Sequence, residues 1–141
     1  MAVYLSDSLR QEVYVRANYR CEYCLTSQRI SGGQMHIEHI LPSSRGGTTE
    51  THNLCLACAW CNSYKGTKIE AIDPISHKVV SLFNPRTQQW ADHFQWHAAG
   101  VEVMGMTPIG RATVEALKMN NEYIVPAREQ WLLAGWHPPR S

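Results

Sequence analysis

The sequence predicts an α+β fold. Two short strands and a helix are stapled by a metal on four cysteines, with a helix before this unit and a strand and helix extension after it. Three observations predict it. Two Cys-x-x-Cys pairs, Cys21/Cys24 and Cys58/Cys61, bracket the first half of the chain. Between them lie two stretches of strand character joined by a loop rich in turn residues. Outside the bracket, helical periodicity recurs on both sides.

A chain of 141 residues and 16.0 kDa suits one domain. It can bury roughly two-thirds of its unfolded surface. Thirteen Lys and Arg oppose twelve Asp and Glu, for a formal charge of +1 and a pI of about 7.7. That balance excludes a polybasic tail and an acidic disordered chain. It leaves room for a local basic face. Five cysteines are an odd set, and the N-terminal run Met1–Asp7 has no basic segment followed by an apolar one. No stretch approaches the ~20 apolar residues of a membrane span. The expectation is a cytoplasmic protein with reduced thiols.

The elements follow in order. Ser8 reads as a helix N-cap with Gln11 in capping-box position, and Leu9, Val13 and Ala17 form one stripe. Cys21–Cys24 is a tight knuckle, and residues 25–33 read as a loop ending in Gly32-Gly33. Residues 34–40 alternate as a strand, with Met35 and Ile37 on one face and His36 and Glu38 on the other. Leu41–Glu50 is a loop, 53–57 a second strand, and Cys58 to about Lys68 a helix. In the second half, Asp73-Pro74 marks a turn. Val79–Phe83, a stretch holding Trp90, Phe94 and Trp96, and Val101–Met106 read as strands. Thr107-Pro108 starts a helix, and Pro126 opens a last one whose inner face is Ala127, Trp131 and Ala134. The chain thus divides into 1–72 and a 73–141 extension packed on the same domain.

The two cysteine pairs have the spacing that lets both sulfurs of each reach one ion, and four thiolates make a structural zinc site. Cys55 lies three before Cys58 and offers a competing pair. It falls in a strand, where i and i+3 side chains leave opposite faces, so Cys58 and Cys61 are favoured and Cys55 reads as a small buried residue. With all four positions taken by thiolates, the zinc has no place for substrate. Between the pairs lie His36, Glu38, His39, His52, Asn53 and Asn62. Oxygen ligands from Glu38 and Asn62 suit Mg²⁺ or Mn²⁺, which keep room for water and phosphate.

The run Cys21-Glu-Tyr-Cys24, Ile37-Glu-His-Ile-Leu-Pro42, Arg45-Gly-Gly47, Asn53-Leu54 and Cys58-x-x-Cys61-Asn-x-x-Lys-Gly66 resembles the HNH endonuclease family in its four-cysteine zinc form. Five elements agree in order and spacing over residues 21–68. The tail, with Phe83-Asn-Pro-Arg86, Gly110–Val114 and Gly135–Pro139, resembles the extension of many small bacterial, especially cyanobacterial, members. The resemblance implies a ββα-metal (His-Me finger) core and metal-dependent DNA cleavage leaving 5′-phosphate and 3′-hydroxyl ends.

It also implies roles. His39 stands at the general base and Asn53 at the asparagine that ties the loop and orients it. Asn62 takes the place of the final histidine, as a ligand of the catalytic metal. Glu38 stands where the family usually has Asp, and would be the other ligand, with one extra methylene. His36 shares the strand face of Glu38 and is a further ligand candidate. Arg45, Lys65 and Lys68 are the expected phosphate contacts. His52 reads as a loop residue and His93 and His97 as incidental, His77 and His137 carry no role, and the five tryptophans read as core. A non-catalytic zinc-stabilised nucleic-acid-binding module and a zinc-based protein-interaction domain are the competing readings. Neither needs Glu38, His39 and Asn62 together. One site per chain nicks; a double-strand break takes two nicks or a homodimer, and no pairing signal separates monomer from dimer.

Overall fold

The chain begins with a ten-residue helix, α1 (Asp7–Arg16), whose first free N–H groups are met by Ser6: its Oγ accepts from Leu9 N at 3.2 Å. The cap is therefore Ser6, two residues before the expected Ser8. Asp7 then occupies the first turn, where the helix dipole favours an acid. The computed structural model describes residues 4–139, so the first three residues of the N-terminal run lie outside the described residues. Contacts divide the described residues into two units. One runs to Ile69 and takes in Asn84–Thr87, and the other comprises Glu70–Phe83 and the residues from Gln88 on.

In the first unit, Val13 is the buried residue of α1, and Arg16 reaches the carbonyls of Thr51 (2.9 Å) and Leu54 (2.6 Å). The Cys21–Cys24 knuckle closes on Cys21 N–Thr26 O and Leu25 N–Cys21 O bonds, both 2.9 Å. Residues 25–33 are not all loop: Ser27 caps a single helical turn, α2 (Gln28–Ser31), which Gly32 ends at φ +67°. β1 (Met35–His39) pairs antiparallel with β2 (Leu54–Cys58), Glu38 opposite Cys55 and His39 opposite Leu54. Every residue of β2 is buried. α3 (Ala59–Lys65) is capped by the Cys58 sulfur and stops at Gly66, φ +53°, three residues short of Lys68. Because Lys65 of α3 reaches Glu38, the expected polar face of β1 is covered too: Glu38 is only 6 % exposed. In Asn84–Thr87, Arg86 pairs with Glu22, whose other carboxylate oxygen accepts from Leu56 N at 2.8 Å.

The second unit holds two hairpins and two main helices. β3 (Glu70–Ile72), missed in the sequence, pairs with β4 (Val79–Ser81) around Asp73. Asp73 has no exposed surface and takes a bidentate fork from Arg111 (2.8 and 2.9 Å), plus the N–H groups of Ile75 and Ser76. Trp90 lies in a helical turn, α4 (Trp90–His93), not a strand. The strand is β5 (Phe94–His97), paired with β6 (Glu102–Gly105). α5 (Pro108–Ala116) starts at the expected Thr107 cap. α6 (Ile124–Leu133) starts two residues before Pro126. Its buried residues are Ile124 and Arg128, not the face of Ala127, Trp131 and Ala134. Arg128 explains this rotation. Its guanidinium donates to Val101 O, Met119 O and Asn120 Oδ1 at 2.8–3.1 Å, so a charged side chain closes buried backbone ends. Trp90, Trp96 and Trp131 join a ring cluster that includes His137, 4.5 Å from Trp96. Trp60 and Trp136 are exposed, against the expectation of a core role for all five. Among the described residues no helix is long and apolar enough to cross a membrane.

Candidate metal centre and nuclease site

The knuckle before β1 and the strand-to-helix corner after β2 bring Cys21, Cys24, Cys58 and Cys61 together. Their sulfurs lie within 4.8 Å of one another and all four residues are buried. The Cys24 and Cys58 sulfurs are 3.7 Å apart. A tetrahedral zinc with Zn–S of about 2.3 Å sets its sulfurs about 3.8 Å apart, the spacing of the Cys24 and Cys58 pair. Backbone N–H groups of Cys24 and Cys61 point at the sulfurs of Cys21 (3.5 Å) and Cys58 (3.4 Å). The charge state fits as well. Burial pushes the Cys21 thiol up, while hydrogen bonds from Cys21, Cys58 and Cys61 hold Cys24 down. Four thiolates this close and this buried need a cation to hold their charge. Cys55 stands apart. Its thiol faces the Tyr23 hydroxyl at 3.6 Å, and burial pushes it up to about 12.

His39 ends β1 and is half-buried. Its Nε2 lies 3.0 Å from Thr49 Oγ1, so the ring is held by a hydroxyl that the sequence did not single out. Burial first, and the Lys65 charge second, lower its pKa below the ordinary imidazole value, which keeps it neutral. Asn53 is 8 % exposed and serves the loop alone. Its Oδ1 accepts from Leu41 N, and its Nδ2 donates to Leu41 O and Thr48 O, all at 2.9 Å. The loop fits this clamp because position 47 is glycine: a Cβ there would lie 1.7 Å from Leu41 O. The Gly46-Gly47 pair was the signal for that close approach.

Glu38 does not face solvent. Its Oε1 is 3.0 Å from Lys65 Nζ, both carboxylate oxygens are buried, and the Tyr23 hydroxyl also bonds the carboxylate. Burial pushes the carboxyl up to about 7 against the opposing charge of Lys65. Lys65 is a correction to the expected phosphate contacts. It is 1 % exposed and bonded to Ile40 O (3.2 Å) and His39 O (3.5 Å) as well as Glu38. Asn62 is half-buried in α3 one turn before Lys65, and so on the same helix face. His36 is half-buried on β1 opposite Ala57. Arg45 and Lys68 are exposed and adjoin: Arg45 Nε donates to Thr67 O at 3.0 Å, and Lys68 Nζ to Tyr64 O at 2.9 Å. Neither 40–49 nor 59–68 contains an acid.

A strand hairpin and a helix locked on four thiols, with a histidine at the strand end, define a metal-stapled ββα module. Residues 21–72 match the family model of the HNH endonucleases. The family implies nuclease activity and a nucleic acid substrate. Comparisons with curated proteins and with solved structures gave no match. The family match ends at Ile72 and so covers little of the second unit.

Proposed function

We propose that the protein is a metal-dependent DNA endonuclease that leaves 5′-phosphate and 3′-hydroxyl ends. The observation that carries the reading is the strand end of β1. There, a histidine whose Nε2 lies 3.0 Å from the Thr49 hydroxyl adjoins the buried carboxylate of Glu38. Glu38 and Asn62 would hold a divalent ion, with His36 a further candidate. The donor set fits, since a carboxylate and an amide oxygen suit Mg²⁺ or Mn²⁺. Bound there, the ion supplies Lewis-acid polarisation of the scissile phosphate and charge for the leaving 3′ oxygen.

The chain's own residues do the rest. With Nε2–H given to the Thr49 hydroxyl, His39 Nδ1 is left to accept a proton from the attacking water. Asn53 keeps the loop carrying Thr49 closed, and thereby the base oriented. Arg45 and Lys68 take flanking phosphates. The cysteine quartet holds structural zinc in a reducing, cytoplasmic setting.

Nicking of supercoiled plasmid, run with EDTA and with Mg²⁺, Mn²⁺ or Ni²⁺, tests the proposal. Wild-type protein should nick only with added metal. His39→Ala should lose at least about 10²-fold in rate while keeping zinc and fold. Full activity in folded His39→Ala refutes the mechanism. DNA binding without cleavage selects the non-catalytic binding module instead.

A further inference from the structure

A buried lysine on a carboxylate proposed to bind metal calls for a reason. Lys65 is strapped at three points, to Glu38 Oε1 at 3.0 Å, Ile40 O at 3.2 Å and His39 O at 3.5 Å, and is 1 % exposed. We propose that Lys65 makes divalent-cation binding at Glu38 conditional on DNA. This rests on the nuclease reading above.

The argument is one of charge. A cation at Glu38 meets a carboxylate that already faces an ammonium at Oε1 and is bonded by the Tyr23 hydroxyl. Asn62 adds a neutral oxygen, and His36 at most a neutral nitrogen. The local sum over Glu38 and Lys65 is zero, and an arriving divalent ion meets a fixed positive charge at short range in a partly desolvated site. Sites of this kind hold Mg²⁺-like ions through one or two carboxylates completed by substrate phosphates. A DNA phosphate supplies the missing negative charge to the cation, while Lys65 stays buried on its three partners. Cation and DNA therefore bind cooperatively, each raising the affinity for the other by the same factor. The DNA-free protein stays metal-poor at this site, so the water beside His39 is activated only when a phosphodiester is present.

Mn²⁺ titration followed by EPR of the free ion, at pH 8 on zinc-loaded protein, tests this. The cleavage-dead His39→Ala protein is used, with and without duplex DNA and with the signal of DNA alone subtracted. Mn²⁺ should bind at least 10-fold more tightly with duplex. Lys65→Met in that background should tighten DNA-free binding at least 10-fold and shrink the effect of DNA to under 3-fold. Glu38→Gln should abolish the DNA-linked binding. Tight DNA-free binding that duplex does not change overturns the inference and leaves the nuclease reading standing. The same holds for Lys65→Met protein of normal zinc content and circular dichroism whose affinity is unchanged. Should Lys65→Met fail to fold, the titrations without and with DNA decide alone. Mn²⁺ that binds in neither condition, together with nicking that ignores metal, overturns the nuclease reading itself.

Discussion

Replacing Gly47 by alanine is expected to spring the loop that holds the proposed base. The added Cβ would lie 1.7 Å from Leu41 O, 2.6 Å from Leu41 C and 2.8 Å from Asn53 Nδ2. Two of these are backbone atoms and cannot rotate away, so the Leu41 peptide has to shift by roughly 1 Å or more to reach van der Waals separation. That shift breaks both Asn53 bonds to Leu41, strains the one to Thr48, and disturbs Gly47 N–Pro42 O at 3.0 Å. At about 1 kcal/mol net for each bond, the loss comes to about 2–4 kcal/mol. Urea unfolding of the zinc-loaded protein, followed by tryptophan fluorescence, reads it. With a slope of about 2 kcal/mol/M the midpoint should fall by about 1–2 M. Asn53→Ala removes the same clamp, so the double variant should cost clearly less than the two single losses together. A midpoint within about 0.3 M of wild type, or strict additivity, refutes the account of the loop.

Three other outcomes follow from the geometry. Chelating zinc, or Cys21→Ser, should unfold the first unit, since a structural zinc contributes on the order of 10 kcal/mol; circular dichroism with metal analysis checks this, and a stable, zinc-free, active Cys21→Ser protein contradicts it. Because burial lowers the His39 pKa, the acid limb of kcat/KM should have its midpoint below the ordinary imidazole value of 6.5, and an acid limb well above it tells against His39 as base. Hydrogen bonds from Arg111 hold the Asp73 carboxyl well below its ordinary 3.8. The stability it gives is complete above that value and is lost as pH falls through it towards the folded pKa, so Asp73→Asn should be less stable at neutral pH and flatten the acid limb of stability. Unfolding midpoints between pH 2 and 7 decide this.

Chemistry that depends on spacing could be read without a structure. Two Cys-x-x-Cys pairs around a short strand pair leave few geometries, and the quartet, the ββα order and the exclusion of Cys55 follow from local stereochemistry. Asn53 as the tie of its loop came from the family resemblance, and its three bonds to Leu41 and Thr48 agree with it. Burial of charge was not. Whether Lys65 points to solvent or to Glu38 depends on how α3 lies across β1, and no periodicity of seven helical residues encodes that. Thr49 was hidden because a loop hydroxyl carries no pattern, and its partner is ten residues back. The inner face of α6 was misjudged because apolar spacing favoured Ala127 and Trp131. The fold instead needed the long donor fork of Arg128 to close carbonyls on other elements.

The pairing of Arg86 with Glu22 bears on how the first unit could be cut and transplanted. The family match stops at Ile72, yet the guanidinium that neutralises Glu22 arrives from residue 86, after the chain has built the β3–β4 hairpin elsewhere. A fragment ending at the family boundary would keep every cysteine and His39 but leave a mostly covered carboxylate between Cys21 and Cys24 of the quartet without its counter-charge. The portable module is thus discontinuous: a chimera that grafts residues 21–72 into another protein should be improved by a donor cation supplied at Glu22, or by Glu22→Gln, which still accepts from Leu56 N and removes the charge.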